Sequence, residues 1–384
     1  MKRSLLIFFM LSVGYSHAAH YECSVAQSFP IKDTVFGINS IISVGNDVPV
    51  GTVVYRARFM QGPMGIDCKP VDDSGYNQRV DLPHVVDFFS TPTSVVTGIT
   101  EPNVGEKVFV TNIPGIGVSI RLNGKMPFTD TVAYNSYTKP NSWATNQSID
   151  VMYDVALIKT GPVTPGSVNA SNFPTLLTTF ISPPAPTGNT FSGFPFPHSK
   201  VSFQGTVQIT QSTCRIETAD KLVEMGSYPL KNLISDSNYG RVTEWKNASL
   251  RLTGCQFSPG FYNNNNASIY VHMEGGASAG IPDKNTVKLS LRTLTSLIDP
   301  IKGIIALAPE PDSASGVGIQ IGVKKNNNTW IEPFNFSTNE AIFPPASPQD
   351  QWIDIPIFAR YIVTGNPVTP GKANAAVVYT LDYL

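Results

Sequence analysis

Gly371-Lys372-Ala373-Asn374-Ala375-Ala376-Val377-Val378-Tyr379-Thr380-Leu381-Asp382-Tyr383-Leu384 closes the chain and alternates over its whole length. Extended, it carries Gly371, Ala373, Ala375, Val377, Tyr379, Leu381 and Tyr383 on one face and Lys372, Asn374, Ala376, Val378, Thr380, Asp382 and Leu384 on the other. That period belongs to a strand with one buried face. An unpaired row of N–H and C=O groups beside exposed Val, Tyr and Leu invites association, so the strand is expected to need a neighbour on each edge. No residues downstream supply one.

Gly371 is the fourteenth residue from the end and Tyr383 is penultimate. Upstream stand Ile355-Pro356-Ile357-Phe358-Ala359-Arg360-Tyr361 and Val368-Thr369-Pro370-Gly371. In these residues the chain resembles subunits assembled by the chaperone/usher pathway of Gram-negative bacteria, whose C-terminal signature is that glycine and that tyrosine. The resemblance implies an immunoglobulin-like sandwich missing its seventh strand, completed by a donor strand in trans. A periplasmic chaperone fills the gap first and the next fimbrial subunit later, with an outer-membrane usher on the route. Gly371, Ala375, Val377, Tyr379, Leu381 and Tyr383 would then belong to the groove that receives the strand. Val201-Ser202-Phe203-Gln204-Gly205-Thr206-Val207 and Thr213-Cys214-Arg215-Ile216 resemble the opening strands of the same domain, so the resemblance runs from about residue 200 to the end.

Charged residues make up 14% of the chain and the net charge is −1. Phosphate binding rests on a basic patch, and none is visible, which argues against nucleic acid as a partner. The chain has 30 glycines and 31 prolines; with Asn and Thr they separate short Val/Ile/Tyr/Phe runs, the composition of an all-β protein. At the start, Lys2 and Arg3, the apolar run Leu5 to Val13, and the small residues Ser16 and Ala18 follow the plan of a secretory signal peptide cleaved after Ala18. The run is too short to span a bilayer, which takes about 20 residues. The mature chain is expected to be soluble and exported, and its length favours two domains.

Four cysteines in an exported chain suggest two disulfides, with three pairings possible. If the halves fold separately, Cys23 pairs with Cys68 and Cys214 with Cys255, each bridge contributing roughly 4 kcal/mol by loop entropy. No Cys-x-x-Cys or Cys/His cluster has metal-ligand spacing, and no metal or other cofactor is expected.

Within the first half, Ser40 to Val44, Gly51 to Phe59 and Ile149 to Ile158 read as strands, and Lys107 to Ile120 as two strands joined at Pro114-Gly115. The Thr111-Asn112-Ile113-Pro114-Gly115-Ile116-Gly117 core and the Lys159-Thr160-Gly161-Pro162-Val163 turn are similar to N-terminal domains of fimbrial adhesins. Two polar segments with aromatics read as loops: Lys69 to Arg79 after Cys68, and Tyr134 to Trp143. Proline-rich Ser182 to Pro197 reads as the last loops of a first domain. In the second half Leu222 to Gly226, Leu250 to Cys255 and Val287 to Leu291 read as strands. The expected organisation is a signal peptide (1–18), an N-terminal receptor-binding, lectin-like sandwich (19–196), a linker (197–199) and a pilin domain (200–384). A Cys-containing domain thus stands where fimbrial shaft subunits carry a donor strand. A subunit that accepts a strand and has none to give occupies the end of a fibre, so the resemblance implies a two-domain tip adhesin of the type 1 fimbrial adhesin family, extracellular at the fimbrium tip.

Catalytic chemistry finds no support. Gly276-Ala277-Ser278-Ala279-Gly280 matches a nucleophile elbow, but Ile281-Pro282-Asp283 follows without the helix the elbow requires. His20, His84, His198 and His272 are scattered singly, and Asp72 and Asp73, adjacent on the chain, do not face one another as paired glycosidase carboxyls do. Sugar recognition instead needs hydrogen-bonding side chains for hydroxyls and an aromatic face for the ring. Asp72, Asp73, Tyr76, Asn77 and Arg79 in one loop, and Tyr134, Tyr137, Asn141 and Trp143 in the other, supply both kinds. Mannose-binding type 1 fimbrial adhesins also hold Asn and Asp ligands just after the second cysteine. This chain departs there, with Lys69-Pro70-Val71 first. The expected partner is a host cell-surface glycan. A host protein receptor, or a structural tip adaptor without a receptor, are the other readings.

Overall fold

The computed structural model describes residues 20–71, 80–91, 94–96, 99, 107–122, 126–127, 131–139, 147–182, 190–255, 259–262, 269–272, 277–325, 328–345 and 350–384. The expected signal peptide lies outside them. Among the described residues the chain is all-β, with helical backbone only in the single turns Ala170–Asn172 and Leu230–Asn232. Alternation builds the strands: along Thr34–Gly45, Phe36, Ile38 and Ile42 are buried while Val35 and Ile41 are exposed.

The first half packs two sheets face to face. In one, Gln147–Lys159 lies between Val53–Pro70 and Ile116–Leu122, with His20–Val25 and Thr190–Ser192 beyond the former and Val108–Val110 beyond the latter. In the other, Thr175–Phe180 lies between Phe196–Ser212 and Val80–Ser90, and Thr131–Lys139 pairs with Val80–Ser90. Thr34–Gly45 runs parallel to Phe196–Ser212 along its full length. Phe36, Tyr55, Phe59, Tyr153, Phe173 and Phe203 fill the space between the sheets, with Phe36 stacked on Phe59 at 4.7 Å. Each such side chain stabilises the fold by about 1.5–3 kcal/mol through burial.

On the opposite face of Gln147–Lys159 from this core, Asp154 is fully buried and has Arg58 and Arg121 as its register partners on the flanking strands. Arg56 donates to it from Nε at 2.8 and 3.0 Å; Arg58 Nε stands 3.5 Å and Arg121 Nη2 3.8 Å away. One carboxylate thus ties three neighbouring strands. Burial lowers the pKa of Arg121, against the pull of Asp154 and with the push of Arg56 and Arg58.

The second half has its own core, including Leu252, Val287, Leu289, Val323, Phe334, Phe343 and Ile355. Val317–Val323 and Ile357–Val363 pair antiparallel in one sheet. Leu250–Thr253 joins Arg215–Ile216 to Trp352–Ile355 in a second, and Val287–Thr293 lies between Ala341–Phe343 and Val377–Tyr383 in a third. Cys23 and Cys68 are register partners on antiparallel strands, with Cα atoms 4.1 Å apart; Cys214 bonds Cys255. These are the bridges that separate halves would give.

Several expectations are corrected. Residues 197–199 are not a linker but lie inside Phe196–Ser212. His198 is buried there, its ring bonded to Ser199 Oγ at 2.8 Å and to the Phe29 carbonyl at 3.2 Å. The cause is the alternation of Val201, Phe203, Val207 and Ile209, all of which enter the first core. From beyond Cys255, the strand Ile269–His272 runs parallel to Val53–Pro70, and Tyr262 stands edge-on to Tyr55 at 5.8 Å. Of the expected Tyr134 to Trp143 loop, Tyr134 and Tyr137 instead belong to the strand Thr131–Lys139, whose Thr and Val residues favour pairing with Val80–Ser90, and residues 140–143 lie outside the described residues. Lys69 and Pro70 likewise end the long strand, paired with Glu22 and Tyr21. Leu222 to Gly226 is irregular; Leu222 is 85% exposed and only Met225 of this stretch packs on the second core.

Candidate functional site

Among the described residues the tail strand Val377–Tyr383 pairs with Val287–Thr293 on one side only, from Val287 opposite Tyr383 to Thr293 opposite Val377. Leu384 exchanges hydrogen bonds with Thr286 at 2.8 and 2.9 Å. In an antiparallel ladder hydrogen-bonded pairs alternate, so the main-chain groups of Val378, Thr380 and Asp382 point inward to Val287–Thr293. Those of Val377, Tyr379, Leu381 and Tyr383 point to the other edge. Val377, Tyr379 and Leu381 have no main-chain partner on that edge among the described residues.

The side chains of these four residues are half-buried and pack against the second core, while Val378 is exposed. Across from them runs the stretch from Cys214 to Met225, of which Cys214, Ile216 and Met225 touch the same core. The Tyr379 hydroxyl donates to the Ala219 carbonyl at 2.6 Å and that of Tyr383 to the Cys214 carbonyl at 3.3 Å. Burial raises both phenol pKa values, with Asp220 and Asp47 respectively adding to it. Two tyrosines therefore floor a furrow between an open strand edge and an irregular wall. An extended segment with alternating apolar residues satisfies both the free N–H and C=O groups and the apolar floor. The regular strand begins only at Val377. Ala375 packs on the second core, and a Cβ on Gly371 would stand 2.4 Å from the Asp312 carbonyl oxygen, so glycine permits the close passage over residues 312–314.

A family model described as fimbrial protein matches residues 201–384. Over that span the chain is similar to the fimbrial protein family. An uncharacterized fimbrial-like protein of Escherichia coli K12, YraH, is 27% identical over 192 residues, covering 48% of this chain and 87% of that protein. Among solved structures, the CupB6 tip adhesin of Pseudomonas aeruginosa is 14% identical with a TM-score of 0.34, covering 95% of both chains. The CsuC–CsuE chaperone–tip adhesion subunit complex of Acinetobacter baumannii is 15% identical with a TM-score of 0.26, covering 94% of this chain and 99% of that one.

Apart from Val201–Ser212 and Ile269–His272, which join the sheets of the first sandwich, the fimbrial half meets that sandwich at one end, and the strands flanking the two candidate receptor segments end at the other. Asp72, Asp73, Tyr76, Asn77, Arg79, Asn141 and Trp143 lie outside the described residues, but the strand ends that carry them are described. The segment 72–79 leaves the first sheet after Val53–Pro70 and enters the second at Val80, and 140–146 leaves the second after Lys139 and returns to the first at Gln147. Val80 is paired with Lys139 and Ile66 with Gln147. Both segments are thus anchored side by side at one end of the sandwich, which the Cys23–Cys68 bridge braces. Beyond the strands Val201–Ser212 and Ile269–His272 that enter the sandwich, contacts with the fimbrial domain involve Gly45, Asp47, Val54 and Tyr55, at the opposite strand ends. Val53–Pro70 links the two ends and spans roughly 50–60 Å at strand rise. The sequence did not reveal this arrangement, because no local signal says which loops share an end.

Proposed function

We propose that this protein is a fimbrial tip adhesin that attaches bacteria to host cell-surface glycans. The observation that carries the reading is the opposition of the two ends: an open strand edge in the fimbrial domain, and two polar, aromatic segments anchored together at the far end of the preceding sandwich. A periplasmic chaperone strand covers Val377, Tyr379 and Leu381 before assembly, the usher exchanges it, and the next subunit's donor strand replaces it in the fibre. The first sandwich then projects from the tip, with Asp72, Asp73, Asn77, Arg79 and Asn141 offered to sugar hydroxyls and Trp143, Tyr76, Tyr134 and Tyr137 as ring-stacking candidates. Bracing by the disulfide lowers the ordering cost of binding.

The test is a glycan array probed with the full chain held by a bound donor peptide, beside Asp72→Ala, Asp73→Ala and Trp143→Ala. Binding by the parent, lost in the variants with unchanged melting, supports the reading. A parent that binds host proteins and no glycan moves it to a protein receptor. Variants that bind like the parent place the site elsewhere.

A further inference from the structure

Among the described residues the outer edge of the tail strand is bare at Val377, Tyr379 and Leu381 but occupied at Tyr383. There the Tyr383 N–H donates to Asp47 Oδ2 at 2.8 Å, and the Asp47 N–H donates to the Tyr383 carbonyl at 3.1 Å. Asp47 belongs to the first sandwich, in the turn that follows Thr34–Gly45, and it mimics for one residue the neighbour that the edge otherwise lacks. The turn is closely fitted. A Cβ on Gly45 would lie 2.1 Å from the Tyr383 carbonyl oxygen. Buried Lys159, at the end of the central strand, donates to the carbonyls of Gly45 and Asn46, and Gln211, at the end of Phe196–Ser212, donates to Asn46 Oδ1.

We propose that the Gly45–Asp47 turn is a built-in stop on the open edge: it sets how far an added strand pairs along the tail, ending it at Leu381, and so selects strand length and register. This rests on the reading that the edge accepts a strand. A strand long enough to reach Tyr383 must displace two hydrogen bonds and the turn with them, and its extra residues gain nothing net. Because Lys159 and Gln211 hold the turn to the first sandwich, the stop also links that sandwich to the furrow.

The experiment measures affinity of the full chain for a short alternating apolar peptide and for versions lengthened by two residues at either end, in the parent, in Asp47→Ala and in Gly45→Ala. The two variants act through different atoms, one removing an acceptor and the other pushing the turn off the tail. The expected result is equal affinity for all peptides in the parent, and a gain of about tenfold for one lengthened peptide in both variants. Loss of a merely structural contact would weaken binding of every peptide and so overturns the stop. Equal gains from lengthening in parent and variants overturn it too. If no peptide binds any of the proteins, the strand-accepting reading itself fails. Hydrogen exchange on the unbound parent gives a check without variants: the Tyr383 amide is expected to be protected and those of Tyr379 and Leu381 to exchange quickly. Fast exchange at Tyr383 overturns the stop.

Discussion

Val53–Pro70 in the first half is paired along both sides, by Gln147–Lys159 on one and by His20–Val25 and Ile269–His272 on the other, whereas the tail strand has a neighbour on one side and a single-residue cap on the other. The tail strand VVYTLDY is the more apolar of the two, so the contrast does not come from composition. It comes from where the middle of the chain goes. The family match begins at Val201, yet Val201 to Ser212 lie along Thr34–Gly45 and complete the first core. The first sandwich is finished with segments from the fimbrial half, and the fimbrial half is left with an edge. Main-chain groups on such an edge are a template for another strand, so the incomplete half is the one suited to assembly.

Cutting the chain tests this contrast most severely. A fragment of residues 19–196 lacks Val201, Phe203, Val207 and Ile209, each contributing about 1.5–3 kcal/mol by burial, together comparable with a whole domain's stability. It is expected to show no cooperative melt, while a fragment extended to Ser212 regains one. Equal melts for the two fragments would return the boundary to residues 197–199.

Leu381→Asp probes the other side of the comparison. A carboxylate on the furrow floor loses its hydration when a strand covers it, and affinity for an added strand is expected to fall at least ~100-fold. The first half should melt as in the parent; a variant that binds as well as the parent would show that the strand docks elsewhere.

Asp154→Ala acts inside the closed half. It leaves Arg56, Arg58 and Arg121 facing one another with their shared carboxylate gone, a loss of about 3–5 kcal/mol when one member of a buried pair is removed. Chemical denaturation checks it, and a change below about 1 kcal/mol would mean the cluster is solvated in solution.

The smallest effect concerns pH. Burial lowers the His198 pKa below its ordinary 6.5, against the bonds from the Phe29 and Gly65 backbone. The unfolded chain then binds the proton more readily than the folded one, so this contribution is complete above about pH 6.5 and is lost as pH falls from there through the folded value. Denaturation midpoints of the parent should decline over that range, and His198→Gln should flatten the decline. An identical pH profile in the variant would assign the acid sensitivity to other groups.

Residue order alone determined the all-β class, the tail strand from Val377 onward, the hairpin around Pro114-Gly115 and the fimbrial resemblance of the second half, because alternation, turn residues and the Gly371/Tyr383 spacing are local signals. It also allowed the two bridges, since cysteines divided evenly between halves leave that pairing open. It could not tell that Phe203 and Ile209 serve the first core, because an alternating segment carries no mark of which sheet it joins. Nor could it separate Tyr134 and Tyr137, on a strand, from the polar segment that follows them. Tertiary structure alone decided that both candidate receptor segments start from one end of the sandwich, that Asp154 answers three arginines from neighbouring strands, and that Asp47 closes the tail edge at Tyr383. Each of these joins residues far apart in the chain, where register and packing, rather than local preference, choose the partner.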